Sequence, residues 1–314
     1  MRRSAALLAV TVTLAACGGS APAGVVAASS SAVAEETGPI PSAPPSETPS
    51  PSPNDADVFA PQPNTPLPER AGGVAGALEE ATRAVRRSID AWLRSGGTSR
   101  WPPPGTLVLQ ALFQQRIYRD LAGRPAVANR VFAMLPGSMR VEASAIVHAN
   151  AAVFAHANPV PPSYRMVTRP PPPPDALLRY YREAERRFGV PWWILAAVNY
   201  VETKFGRVVS NSAAGAQGPM QFLPSTWASY GLGGDIHDPH DAILGAANYL
   251  HANGAPEDVR GALYHYNPVN AYVDAVTLYA GAIRRDPRLF YDLYCWQVYI
   301  LTTRGDRRIT GPGL

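Results

Sequence analysis

The chain has 314 residues, a net charge of +4 and a sequence pI near 9.1. That length allows one or two domains once any export segment is removed. The positive balance suits an anionic polymer as ligand but is too small to argue for nucleic acid, and the 33 prolines, unevenly placed, say more than the charge does.

Arg2 and Arg3 open the chain, an apolar run follows from Ala5 to Leu14, and Leu14-Ala15-Ala16-Cys17 comes next. The run is too short for a stable membrane span and has the layout of an export signal. The tetrad, followed by Gly18-Gly19-Ser20, resembles a bacterial lipobox. That resemblance implies a signal peptide over residues 1–17, cut before Cys17, and a lipid on the Cys17 thiol. Plain secretion with cleavage at another small residue is the alternative. The second cysteine, Cys295, lies between Tyr294 and Trp296 and is expected to be a buried apolar thiol.

Residues 18–68 are Ala, Ser, Thr and Pro with few large apolar side chains, and eleven prolines fall between Pro39 and Pro68. Such a segment cannot bury enough surface to offset its ordering entropy, so an extended, disordered tether is expected. From Ala71 the pattern turns helical. Val74, Leu78, Ala81, Val85, Ile89 and Trp92 share one face up to Leu93, and Gly96-Gly97 ends the run. Further helices are predicted over 107–121, 127–135 and 141–157. His148 and His156 are isolated there, and residues 71–160 read as a small helical domain without a catalytic cluster.

Five prolines, Pro170 to Pro174, mark a boundary. Asp175 can cap the next helix, 176–188, which Gly189 closes. In the following helix Pro191 suits the first helical position and Gly206 the left-handed position after the last turn. Ile194, Leu195, Val198, Val201 and Phe205 mark its buried face, and Glu202 falls on that face. A carboxylate there must be paired, hydrogen-bonded or protonated. A structural Glu tied to backbone donors or an arginine satisfies this; so does an acid kept protonated near neutral pH to donate a proton.

The loop 208–218 is rich in small residues that let backbone approach a ligand, and Pro224 opens a short helix containing Trp227. Asp235, His237, Asp238, His240 and Asp241 lack the spacing of a calcium loop. Asp238-Pro239 with Asp241 is better read as a helix start, so no metal is assigned. Helices are predicted over 239–251, 257–266 and 271–283. The aromatic tail (Phe290, Tyr291, Tyr294, Trp296, Tyr299), part of a segment 286–314, should dock on the body. No strand pattern of useful length appears, and the fold class expected is mainly α.

Four pieces stand in order: Glu202-Thr203-Lys204-Phe205-Gly206; Ser212 through Gly218-Pro219-Met220-Gln221 to Trp227; Ala246-Ala247-Asn248-Tyr249-Leu250; and Tyr264-His265-Tyr266-Asn267-Pro268. This order and spacing resembles the soluble lytic transglycosylases, murein-cleaving enzymes with a goose-type lysozyme-like fold. It covers residues 175–283 well, and a catalytic domain is placed at 175–285. The resemblance implies that Glu202 is the single catalytic acid/base. It further implies that Ser212 bonds near the carboxylate and the substrate acetamido group. Met220 and Gln221 then line the sugar cleft, and Tyr266 and Asn267 are the Tyr-Asn pair whose tyrosine reaches the glutamate. Two departures are Thr203, where the family usually has Ser, and Pro219, where it often has Leu; neither removes a reacting group.

Glycoside hydrolysis ordinarily needs two carboxylates, and the motif-bearing loops offer only Glu202. A one-acid site suits a substrate that supplies its own nucleophile. The resemblance implies cleavage of the MurNAc–GlcNAc bond without water, giving 1,6-anhydro ends and needing no metal or cofactor. The partners expected are peptidoglycan strands and, through Cys17, a membrane, which would make the chain an extracytoplasmic lipoprotein of the cell envelope. A hydrolytic muramidase on the same fold and a non-catalytic murein-binding lipoprotein are the competing readings.

Overall fold

Proline punctuation sets where the helices begin. The computed structural model describes residues 59–99 and 101–314. The expected signal peptide, Cys17 and most of the tether lie outside the described residues. Four helices come first: α1 (Ala71–Arg94), α2 (Gly105–Ala122), α3 (Pro125–Met134) and α4 (Gly137–Ala155). Seven follow: α5 (Pro174–Phe188), α6 (Trp192–Thr203), α7 (Pro224–Tyr230), α8 (Pro239–Ala252), α9 (Val259–Tyr266), α10 (Asn270–Arg285) and α11 (Arg288–Cys295). Pro125, Pro174, Pro224 and Pro239 stand at the first helical position, where a missing N–H costs nothing. Pro191 instead sits one residue earlier, as the cap of α6. Asp175 lies in the first turn of α5 rather than at its cap, where its charge still favours the helix dipole. Asp238 does cap α8, accepting from the His240 and Asp241 N–H groups.

α6 is buried on nearly every side. Trp192, Leu195, Ala196, Val198 and Tyr200 all lie in the core, as expected of a helix apolar all round. It packs against α5, α8 and α10, and α10 packs in turn on α4. The first four helices and the later ones thus share one continuous core, including Leu78, Ile117, Ile146, Leu195, Ile243 and Val276. Residues 59–314 cluster as one compact unit.

Two further expectations change. The tail after α11 forms an antiparallel hairpin, β1 (Tyr299–Thr302) with β2 (Gly305–Arg308), Leu301 opposite Asp306. Four-residue strands are too short for alternation to register in the sequence. The last ten residues assigned to the tether are pinned to α2. Gln110 donates to the Phe59 carbonyl at 2.7 Å, Arg116 to that of Thr65 at 2.7 Å, and Phe59 meets Phe113 edge-on at 5.6 Å. Cys295 is buried as expected, and burial pushes its thiol well up.

Candidate active site

Glu202 is the penultimate residue of α6. The chain then takes three successive left-handed residues, Lys204, Phe205 and Gly206, with φ of 54°, 63° and 80°. Gly206 is left-handed as its position suggested, but the turn starts two residues sooner, on side chains that disfavour it. Such a run persists only where its surroundings over-determine it. Thr203 provides part of that hold. Its hydroxyl donates to the Pro219 carbonyl at 2.6 Å and accepts from the Gly206 N–H at 2.9 Å. One turn earlier, Asn199 Nδ2 donates to the same carbonyl at 2.8 Å, and Asn199 Oδ1 accepts from the Tyr181 hydroxyl at 2.6 Å.

These bonds staple the turn Gln217–Phe222 to the end of α6. Within the turn the Gln217 N–H donates to Phe222 at 2.8 Å and the Phe222 N–H to Gln217 at 2.9 Å. Gly218 has φ 73°, and a Cβ there would meet the Ile236 carbonyl oxygen at 1.8 Å, so only glycine fits.

Glu202 lines a cavity of about 140 Å³, large enough to hold water. Among the described residues it is the one carboxylate in that lining. Burial pushes the Glu202 carboxyl up to about 8. The Tyr272 hydroxyl and then the Lys204 charge favour the ionised form without cancelling the burial. The Tyr272 hydroxyl is buried, acts on that carboxyl, and has no formed hydrogen bond among the described residues. Glu202 makes no ion pair with an arginine among them, and its residue keeps partial access to the cavity.

The other expected site residues divide. Ser212 and Gln221 line the cavity with Glu202. The Ser212 hydroxyl accepts from the Ala216 N–H at 2.9 Å, which leaves its own proton to donate. Gln221 is left-handed at φ 51° and donates to the Gly218 carbonyl at 3.0 Å. Asn267 also lines the cavity, with a buried Oδ1 that has no partner among the described residues. Met220 does not: its side chain is fully buried in the core, and only its carbonyl matters, accepting the Tyr266 hydroxyl at 2.6 Å. That bond uses the proton of the Tyr266 hydroxyl, and the Glu202 charge still acts on the buried phenol, raising it after burial has done so. Tyr272, six residues on at the start of α10, also stands beside the glutamate and lines the cavity. Sequence reading missed it because an aromatic at helical spacing reads as core. Lys204, inside the Glu202 motif, was also missed. The acidic loop behaves as a cap. The Asp238, His240 and Asp241 side chains come together, but Asp238 serves the α8 N–H groups and Asp241 accepts from the Asp235 N–H at 2.9 Å.

Residues 179–281 match the family model of the Transglycosylase SLT domain. The match likens this third of the chain to that domain. The matched segment runs from α5 to α10 and holds Glu202, Ser212, Gln221, Asn267 and Tyr272. It supports, in general terms, a lytic transglycosylase of peptidoglycan, and the mainly α, lysozyme-like architecture agrees with it. No curated protein and no solved structure matches the chain.

Proposed function

We propose that the protein cleaves the β-1,4 bond between MurNAc and GlcNAc in peptidoglycan by intramolecular transglycosylation, in remodelling of the cell wall. The observation that carries this reading is a lone carboxyl in the cavity, pushed up to about 8. A group with that affinity for its proton can act as acid and then as base near neutral pH. Protonated Glu202 gives its proton to the bridging oxygen, the C1–O bond breaks, and the GlcNAc 4-hydroxyl leaves. The substrate acetamido group stabilises the cationic sugar, with the Ser212 hydroxyl placed to orient it. Glu202, now a carboxylate, takes the proton of the MurNAc 6-hydroxyl as O6 bonds to C1. The proton returns to its starting place and no water is consumed, so a second carboxylate to position water is not required. The Tyr272 hydroxyl can donate to Glu202 while it is charged.

The test is mass spectrometry of muropeptides released from purified sacculi by wild type and Glu202→Gln. Wild type should release ends lighter by one water than hydrolytic ends, and the variant should lose at least about 10³-fold in rate. Equal release by both would remove the enzymatic reading, and reducing ends would make the protein a muramidase. From the Leu14-Ala15-Ala16-Cys17 tetrad we further propose that the chain works outside the cytoplasm, held to a membrane by a lipid on Cys17. Cys17→Ser should then move it from the membrane to the soluble fraction.

A further inference from the structure

The cavity extends past the residues that the chemistry uses. Lys204 packs its Nζ 4.0 Å from the centre of the Tyr200 ring and donates to the Tyr200 carbonyl at 3.2 Å. The Tyr200 ring meets the Tyr279 ring at 4.9 Å, and the Tyr279 hydroxyl donates to Asn150 Oδ1 at 2.7 Å. Asn150 is 5 % exposed, lines the cavity, and has an Nδ2 with no partner among the described residues. Arg119 lines the same cavity, its guanidinium 4.5 Å from the Phe154 ring and 4.2 Å from the Tyr299 ring. It pairs with Asp306 through Nε at 3.1 Å and Nη2 at 2.5 Å, which holds it in place while Nη1 keeps its protons.

Lys204, by contrast, has no salt bridge among the described residues. Burial and the Arg119 charge push it down to about 7, and only Glu202 pulls the other way. Lys204, Arg119 and the unmatched Asn150 amide N–H₂ line one cavity, and each keeps a proton to donate there. A charged acceptor satisfies the donor capacity left over on such a set best. Arg119 on α2, Asn150 on α4 and Tyr299 on β1 all lie outside residues 179–281.

We propose that Lys204, Arg119 and Asn150 form a carboxylate-binding subsite that reads an acidic group on the glycan strand. The inference rests on the glycan-cleaving reading above. It gives the helices before the SLT domain and the hairpin after it a task, which is to select strands that present a carboxylate beside the bond to be cut. Two groups on the polymer offer that chemistry: the lactyl carboxyl of MurNAc where the peptide has been removed, and the carboxylates of the peptide stem where it remains.

Binding can be measured apart from catalysis, by calorimetry on the full chain carrying Glu202→Gln. The ligands are a GlcNAc–MurNAc tetramer with free lactyl carboxylates, the same tetramer with methylamides there, and the stem-bearing tetramer. Charge-assisted hydrogen bonds in a desolvated site predict about tenfold tighter binding of the free acid than of the methylamide. Lys204→Met and, as a nearly isosteric second variant, Asn150→Asp should each shrink that ratio to about twofold or less. A stem-bearing tetramer that binds like the free acid assigns the subsite to stem carboxylates, and one that binds like the methylamide assigns it to the lactyl group. Equal binding of acid and methylamide overturns the subsite and leaves the glycan reading standing. Binding of none of the three overturns the glycan reading itself.

Discussion

Replacing the Glu202 carboxyl by an amide should stabilise the protein, and only above about pH 5. The folded carboxyl keeps its proton up to about pH 8, whereas an ordinary one loses it near 4.5. Between those values unfolding releases the proton, so the wild type loses stability as pH rises through that window. Below it both states are protonated and the cost vanishes. Carried to pH 8 and beyond, the shift corresponds to at most about 5 kcal/mol. Water in the cavity lowers this, because part of the residue remains open to it. Glu202→Gln should therefore gain about 1–3 kcal/mol at pH 8 and close to nothing at pH 4. Urea unfolding of both proteins at several pH values between 4 and 8.5 reads the difference directly. A variant no more stable than wild type at pH 8, or a gap of the same size at every pH, would refute the claim that Glu202 is an acid held protonated by burial.

Activity should follow the same proton: kcat/KM on sacculi falls as pH rises past about 8, because the acid form disappears. Tyr272→Phe removes the group that most favours ionised Glu202, so the alkaline limb of that profile should move to higher pH; an unmoved limb would separate Tyr272 from the carboxyl. Gly218→Ala drives a Cβ into the Ile236 carbonyl at a left-handed position and should cost at least about 2–3 kcal/mol, seen as a lower Tm. Thr203→Val leaves the Gly206 N–H without its acceptor and should cost about 1–3 kcal/mol in urea unfolding, with Thr203→Ser recovering most of it.

The order of the chemistry was legible along the chain. Glu202 on an apolar helix face, the small-residue loop with Ser212, and the Gln221 and Asn267 motifs are local patterns, and each depends on neighbours within a few residues. The helices were legible for the same reason: a 3.6-residue period, Asp238 at a cap and prolines at helix starts are short-range signals. What needed the tertiary structure was which side chains share a space. Tyr266 and Tyr272 look alike in sequence, but the Tyr266 hydroxyl donates to the Met220 carbonyl while Tyr272 lines the cavity and acts on the Glu202 carboxyl. Arg119 and Asn150 carry no motif and stand far before the matched segment. They reach the cavity because α4 packs on α10 and the C-terminal hairpin closes over α2. Burial around Glu202 likewise sums contributions from several elements, so its hold on a proton is a property of the packed molecule. The residue types come from the sequence; their pairing and their solvent come from long-range packing, which no local period encodes.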